Sequence, residues 1–331
     1  MAQWKLENVT CIVADSESDR QIDLSDILTD MAWEESLLDQ PGKCTFSYLK
    51  EGLKEPFYEG SNVVVKVGGH VVFDGYVFKR NRSQGDTIKV TAYDRLRYLN
   101  NKDTMVFEGA TAEEIFSRVC TSQELKFRIV TGSKYKTAPI AHDNKTLFSM
   151  VIRALDETMI GTNQYLIIRD GHGILEMVDV ADLCTNILIG DGSLLTGFDY
   201  ECSIDTSTYN YVKIIQENKD KGVRNVYVAQ DSSTMAKWGK LQYFEKVDED
   251  MNEAQIKART NQMLQLYNRK TKTLKVSCLG DISVRAGSGV GLSIEELSNE
   301  GIAKMQYVFV SKVSHSISKE MYKMDLTLEV V

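Results

Sequence analysis

The sequence predicts an α+β, mainly β fold: two antiparallel β-barrel domains with a small α+β insertion between them. Three observations predict it. Residues 62–93 run as short apolar-alternating stretches separated by Gly-rich and polar turns. From about residue 101 the spacing of apolar residues becomes helical. The stretch EGSNVVVKV at 59–67 returns as AGSGVGLSI at 286–294, each leading from Gly-Ser into a strand. These patterns set the boundaries: 1–100 for the first barrel, 101–200 for the insertion, and 201–331 for the second barrel with one amphipathic helix at about 251–269.

Each element follows from local chemistry. Val63–Val67 meets Gly68-Gly69, a tight-turn signal, and His70–Phe73 continues beyond it. Tyr76-Val77-Phe78, a polar turn at Ser83–Asp86 and the alternating run Thr87–Tyr93 complete an antiparallel meander with one buried face. In the insertion, Thr111 and Glu114 form a capping box ahead of the stripe Ala112, Ile115, Phe116, Val119. Leu147, Met150, Val151, Ala154 and Leu155 mark a second helix. Gln164–Arg169 and Ile174–Val178 flank Asp170-Gly171-His172-Gly173, a hairpin signature. Strand character returns at Tyr211–Ile215 and Asn225–Val228. A third helix carries Ile256, Thr260, Met263, Leu264 and Tyr267, and strands resume from Thr273 to the end.

The repeat extends beyond its glycines. Strands around Phe46 and Leu274 precede Gly60 and Gly287 by 14 and 13 residues, and YVFKRNRSQGDTIKVTAYD (76–94) parallels FVSKVSHSISKEMYKMDLTLEV (309–330). Gly60, Ser61, Gly287 and Ser288 are therefore the candidate structural turns of two related barrels, the second with an insertion near 295–301.

Composition limits the function. A net charge of −8 gives no basic patch for coating nucleic acid, although an acidic wall would let a polyanion pass without adhering. No apolar run reaches the roughly 18 residues of a membrane helix, and the N-terminus has no apolar leader, so a cytoplasmic chain is expected. Six cysteines with no CxxC pair read as small buried hydrophobes.

The glycine run at 287–291 fails as a phosphate loop, because a strand follows it rather than a helix whose N–H groups could face a phosphate. Asp248–Asn252 fails as a calcium loop: Glu253 stands where Gly is needed and Arg259 where Glu is needed. Those acids read instead as the negative start of the third helix. His70, His142, His172 and His315 lack metal-ligand spacing, and there is no GxSxG elbow. No catalytic, cofactor or metal residue is expected.

The stretches GSNVVVKVGGHVVFDGYVFKRNRSQGDTIKVTAYDRLRYL and NEAQIKARTNQMLQLYNRKTKTLKVSCLGDISVRAGSGVGLSI resemble the tube-protein-like domains of contractile-tail baseplate hub proteins. This is the late-control-protein-D-like family of phages, defective prophages and phage-tail-like bacteriocins (tailocins). The likeness rests on the order and spacing of elements and is weakest at 101–200. It implies a structural, non-enzymatic virion protein, a homotrimer that joins the six-fold tail tube to the three-fold spike and lines part of the channel. Its implied partners are the tube protein, the spike, other baseplate proteins and the tape-measure protein, with assembly in the bacterial cytoplasm. The individual interface residues are not given by the resemblance. Two further readings stay open: a tail peptidoglycan hydrolase using two carboxylates, and a tail-tip carbohydrate- or receptor-binding module.

Overall fold

A computed structural model describes residues 4–37, 40–53, 55–218, 223–247, 251–300, 302 and 305–329 of the chain. The chain divides into two compact units, Met1–Asp199 with Leu274–Val331, and Tyr200–Thr273.

The first unit begins with seven strands: β1 (Val9–Ala14), β2 (Gln21–Asp23), β3 (Leu28–Ser36), β4 (Lys43–Leu49), β5 (Asn62–Val67), β6 (His70–Arg82) and β7 (Thr87–Tyr93). Alternate side chains from six of them, among them Cys11, Val13, Trp33, Phe46, Val65, Val77 and Val90, enter one buried cluster. Period-two patterning does this directly, since alternate residues of a strand face the same side.

An α+β segment follows. It contains β8 (Lys102–Phe107), α1 (Ala112–Ser122), β9 (Phe127–Ile129), β10 (Ile140–Thr146), α2 (Leu147–Thr162), β11 (Leu166–Asp170) and β12 (Leu175–Asp179). The capping box at Thr111 is formed in both directions: Glu114 N–H donates to Thr111 Oγ1 and Thr111 N–H to Glu114 Oε2, 2.9 Å. Ile115, Phe116 and Val119 of α1 and Leu147, Met150 and Val151 of α2 share one core with Leu166, Leu175 and Met177.

Then come β13 (Cys184–Gly190) and β14 (Leu195–Ser203). The second unit holds β15 (Tyr211–Asn218), β16 (Val223–Gln230), α3 (Ser232–Trp238), β17 (Gln242–Val247) and α4 (Glu253–Tyr267). Its three strands run in the order β16-β15-β17, with β17 parallel to β15. Helix α4 packs on one face through Ile256, Thr260 and Met263. Asn252 caps it, with Glu253 in the first turn; Asp248–Asp250 lie outside the described residues.

The chain returns through β18 (Thr271–Leu279), β19 (Gly289–Ser293), β20 (Gln306–Ile317) and β21 (Tyr322–Glu329). One set of strands is hydrogen-bonded in the order β3-β4-β7-β6-β5-β1, and the other in the order β14-β18-β21-β20-β19-β13. Position for position the two orders correspond, and antiparallel pairing of β3 with β20 fuses them into one sheet. They differ at one edge: β1 is antiparallel to β5, whereas β13 is parallel to β19.

The fold is α+β and mainly β. One unit boundary, between Asp199 and Tyr200, falls at the expected residue 200, and another lies between Thr273 and Leu274. The strands β13 and β14, from the span assigned to the insertion, complete the second strand set. The helix expected at 251–269 is α4, which belongs with β15–β17 and not with residues 274–331. The cysteine expectation needs correcting as well, since Cys11, Cys44, Cys120 and Cys278 are buried but Cys184 and Cys202 are exposed.

Candidate functional site

The four residues singled out by the repeat sit in two turns of identical backbone pattern. Gly60 has φ +87° and Gly287 φ +88°, values that glycine adopts at little cost. Gly60 N–H donates to the Val77 carbonyl at 2.7 Å and Val77 N–H to the Ser61 carbonyl at 2.9 Å. Gly287 N–H donates to the Val310 carbonyl at 2.8 Å and Val310 N–H to the Ser288 carbonyl at 3.0 Å. The turns close alike, with Ser61 N–H on the Tyr58 carbonyl and Ser288 N–H on the Arg285 carbonyl. The side chains differ. Ser61 Oγ donates to the Tyr58 carbonyl and accepts from Ser16 N–H, whereas Ser288 Oγ accepts from Arg285 N–H.

Arg285 leads from the second turn into a part-buried ionic junction. Its Nε lies 3.0 Å from both carboxylate oxygens of Glu35, and its Nη2 lies 2.9 Å from Oε1. The same Nη2 donates to the Asp170 carbonyl at 2.7 Å. The Asp170 carboxylate, 4% exposed, accepts from the N–H groups of Arg95 (3.0 Å) and Gly173 (2.6 Å). Arg95 in turn donates to Asp74 Oδ1 at 3.1 Å. Asp94 accepts from the N–H groups of Gly42 and Leu96. The junction thus ties together β3, the β11–β12 hairpin, the loop after β7 and the loop before β19. Isolated buried charges are costly: Glu35, Asp74 and Asp170 face guanidinium groups, and Asp94 accepts from backbone N–H groups.

Burial works against ionising Glu35, but the Arg285 charge prevails and holds its carboxyl below the usual range. Burial, with Asp170 and Glu35 nearby, pushes the Asp94 carboxyl well above its ordinary value. Burial and the Arg285 charge lower His172. Guanidinium and backbone N–H groups engage the carboxyl groups of the junction.

An aromatic layer extends it along the β3–β20 seam. His315 is 1% exposed and stacks on Trp33 at 4.5 Å. Its Nε2 donates to the Val284 carbonyl at 2.9 Å, which makes Nδ1 the acceptor for Tyr322 O–H at 2.8 Å. Burial lowers its pKa to about 4, so the ring is neutral.

Sequence reasoning missed Glu35, Asp170 and Arg285. The first and last stand 250 positions apart and no local spacing links them. The available signals were Asp170 at the head of the hairpin turn and Arg285 two residues before Gly287.

Comparisons with known proteins accord with this architecture. Residues 31–329 match the family described as YQBQ-like. The phage-like element PBSX protein XkdQ of Bacillus subtilis (strain 168) is 31% identical over 255 residues, 76% of each chain. The 43 kDa tail protein of prophage MuSo2 from Shewanella oneidensis superposes with a TM-score of 0.71 at 14% identity, covering 97% of each chain. The E. coli c3393 protein is described as a type VI secretion component similar to T4 bacteriophage tail proteins gp27 and gp5. It gives a TM-score of 0.54 at 11% identity over 92% of this chain and 74% of its own. The chain belongs to the YQBQ-like family and has the fold of phage tail proteins.

Proposed function

We propose that the chain is a structural, non-catalytic baseplate hub of a contractile tail, assembled in the bacterial cytoplasm and retained in the mature tail. Three copies would form a ring joining the hexameric tube to the trimeric spike, in contact with other baseplate proteins and the tape-measure protein. The observation that carries this reading is the doubled strand order. A trimer of chains with two matching strand sets each offers six quasi-equivalent sheets, so one ring can meet a hexamer on one side and a trimer on the other. The equivalent turns at Gly60 and Gly287 support it, as do XkdQ's attachment to a phage-like element and the tail-protein likeness described for c3393.

The purified chain is expected to give a three-chain mass in native mass spectrometry, alone or with a cognate spike. A single-chain mass under every condition contradicts the reading. Cell-wall zymography is expected to show no clearing by the purified chain, and clearing would replace the structural role with a hydrolytic one.

A further inference from the structure

The open face of the β16-β15-β17 sheet and the outer face of β13-β19-β20 are complementary in charge and both expose apolar side chains. Helix α4 and the Arg259–Glu245 ion pair occupy one side of the smaller sheet. The alternate residues lie on the other side. Val226, Val228 and Phe244 are 46–53% exposed there, although apolar residues in that position are usually covered. Val228 and Phe244 flank Lys213 in the strand register, and Arg224 and Lys246 both pair with Glu217 beside them. Among the described residues of this face, three cations against one carboxylate leave it basic. The unit Tyr200–Thr273 as a whole has 12 Lys and Arg against 10 Asp and Glu, net +2, whereas the other unit has 27 against 37, net −10.

The matching patch lies on the acidic unit. Gly291 is register partner to both Leu188 and Tyr307, and its missing side chain leaves those two open at 36% and 65% exposure. Met305, 67% exposed, precedes Tyr307. Glu295 N–H donates to Asp191 Oδ2 at 2.8 Å, which places two acids at this end of β13 and β19, with Glu296 exposed next in the chain.

We propose that the basic face of one copy docks on the acidic patch of a second copy, a head-to-tail contact of the kind that closes rings. This rests on the hub reading and adds to it the surfaces through which neighbours meet. The partner face is chosen by charge: apolar groups anchor the centre, and opposite charges at the rim select the register.

The test is a charge exchange read by native mass spectrometry and by the concentration dependence of the assembled mass, with circular dichroism as the check on folding. Lys213→Glu with Lys246→Glu is expected to raise the concentration needed for assembly at least 10-fold, as is Glu295→Lys with Glu296→Lys. A three-chain ring cannot alternate two variants, so an equimolar mixture keeps one like-charged junction per ring and is expected to recover assembly only in part, whereas the four-fold variant restores every rim pair and is expected to recover it fully. If the wild type assembles and the exchanges leave it unchanged, or the four-fold variant fails to recover, these faces serve another partner and the proposal falls while the hub reading stands. A wild type that never assembles, even with a spike, overturns both.

Discussion

The turns at Gly60 and Gly287 have the same φ and the same backbone hydrogen bonds but different surroundings. A Cβ on Gly60 would approach nothing closer than Ser16 at 3.6 Å, whereas one on Gly287 would meet Ile167 Cδ1 at 2.5 Å and Leu183 Cδ1 at 3.1 Å. Beside the first turn, Glu59 is half exposed and pairs with Arg80. Beside the second, Arg285 is drawn into the part-buried junction with Glu35 and Asp170. The backbone solution is duplicated, and the second turn lies against the α+β segment, at Ile167.

Matched substitutions separate the two environments. Glu35→Gln leaves the part-buried Arg285 without its counter-charge and is expected to cost about 2–3 kcal/mol, while Glu59→Gln at the exposed pair costs less than about 1 kcal/mol. Urea denaturation of both variants measures this, and equal losses would erase the distinction.

The seam between the copies is expected to be acid-sensitive through His315. Its folded pKa of about 4 lies below its unfolded value, so its contribution is complete above about pH 6.5 and is lost as pH falls toward 4. The loss amounts to roughly 3 kcal/mol. Unfolding free energies of wild type and His315→Gln across this window should differ by that slope; parallel curves would mean that the ring is not held neutral by the fold.

Gly287→Ala adds overpacking to backbone strain and is expected to cost about 2–3 kcal/mol, against about 1 kcal/mol for Gly60→Ala, where strain acts alone. Thermal denaturation of the pair checks it, and a larger loss at Gly60 would reverse the comparison. The hydroxyls are expected to rank the other way. Ser61 Oγ serves two backbone groups and Ser288 Oγ one, so Ser61→Ala should exceed Ser288→Ala by about 1 kcal/mol, read from urea midpoints.

These contrasts mark how far local patterns reached. The capping box at Thr111, the stripe of α2, the Gly68-Gly69 hairpin and the matching turns at Gly60 and Gly287 all rest on chemistry within a few residues of one another. The pairing of β3 with β20, the parallel alignment of β13 with β19 and the Glu35–Arg285 pair join distant segments. Their determinants are packing and charge compensation, which leave no periodic trace. β13 and β14 carry no strand signal that stands out in the sequence, and only their partners show which sheet they complete. The exposed Cys184 belongs with this failure, since it lies on the outer face beside Gly289, where composition alone predicts burial.

The most direct test of the hub account is a cryo-electron-microscopy reconstruction of the assembled chain with its spike. The account predicts three chains in one ring, with the Gly60 and Gly287 turns alternating at near-equal radius in six quasi-equivalent positions. A different copy number, or the two turns at unrelated radii, would contradict it.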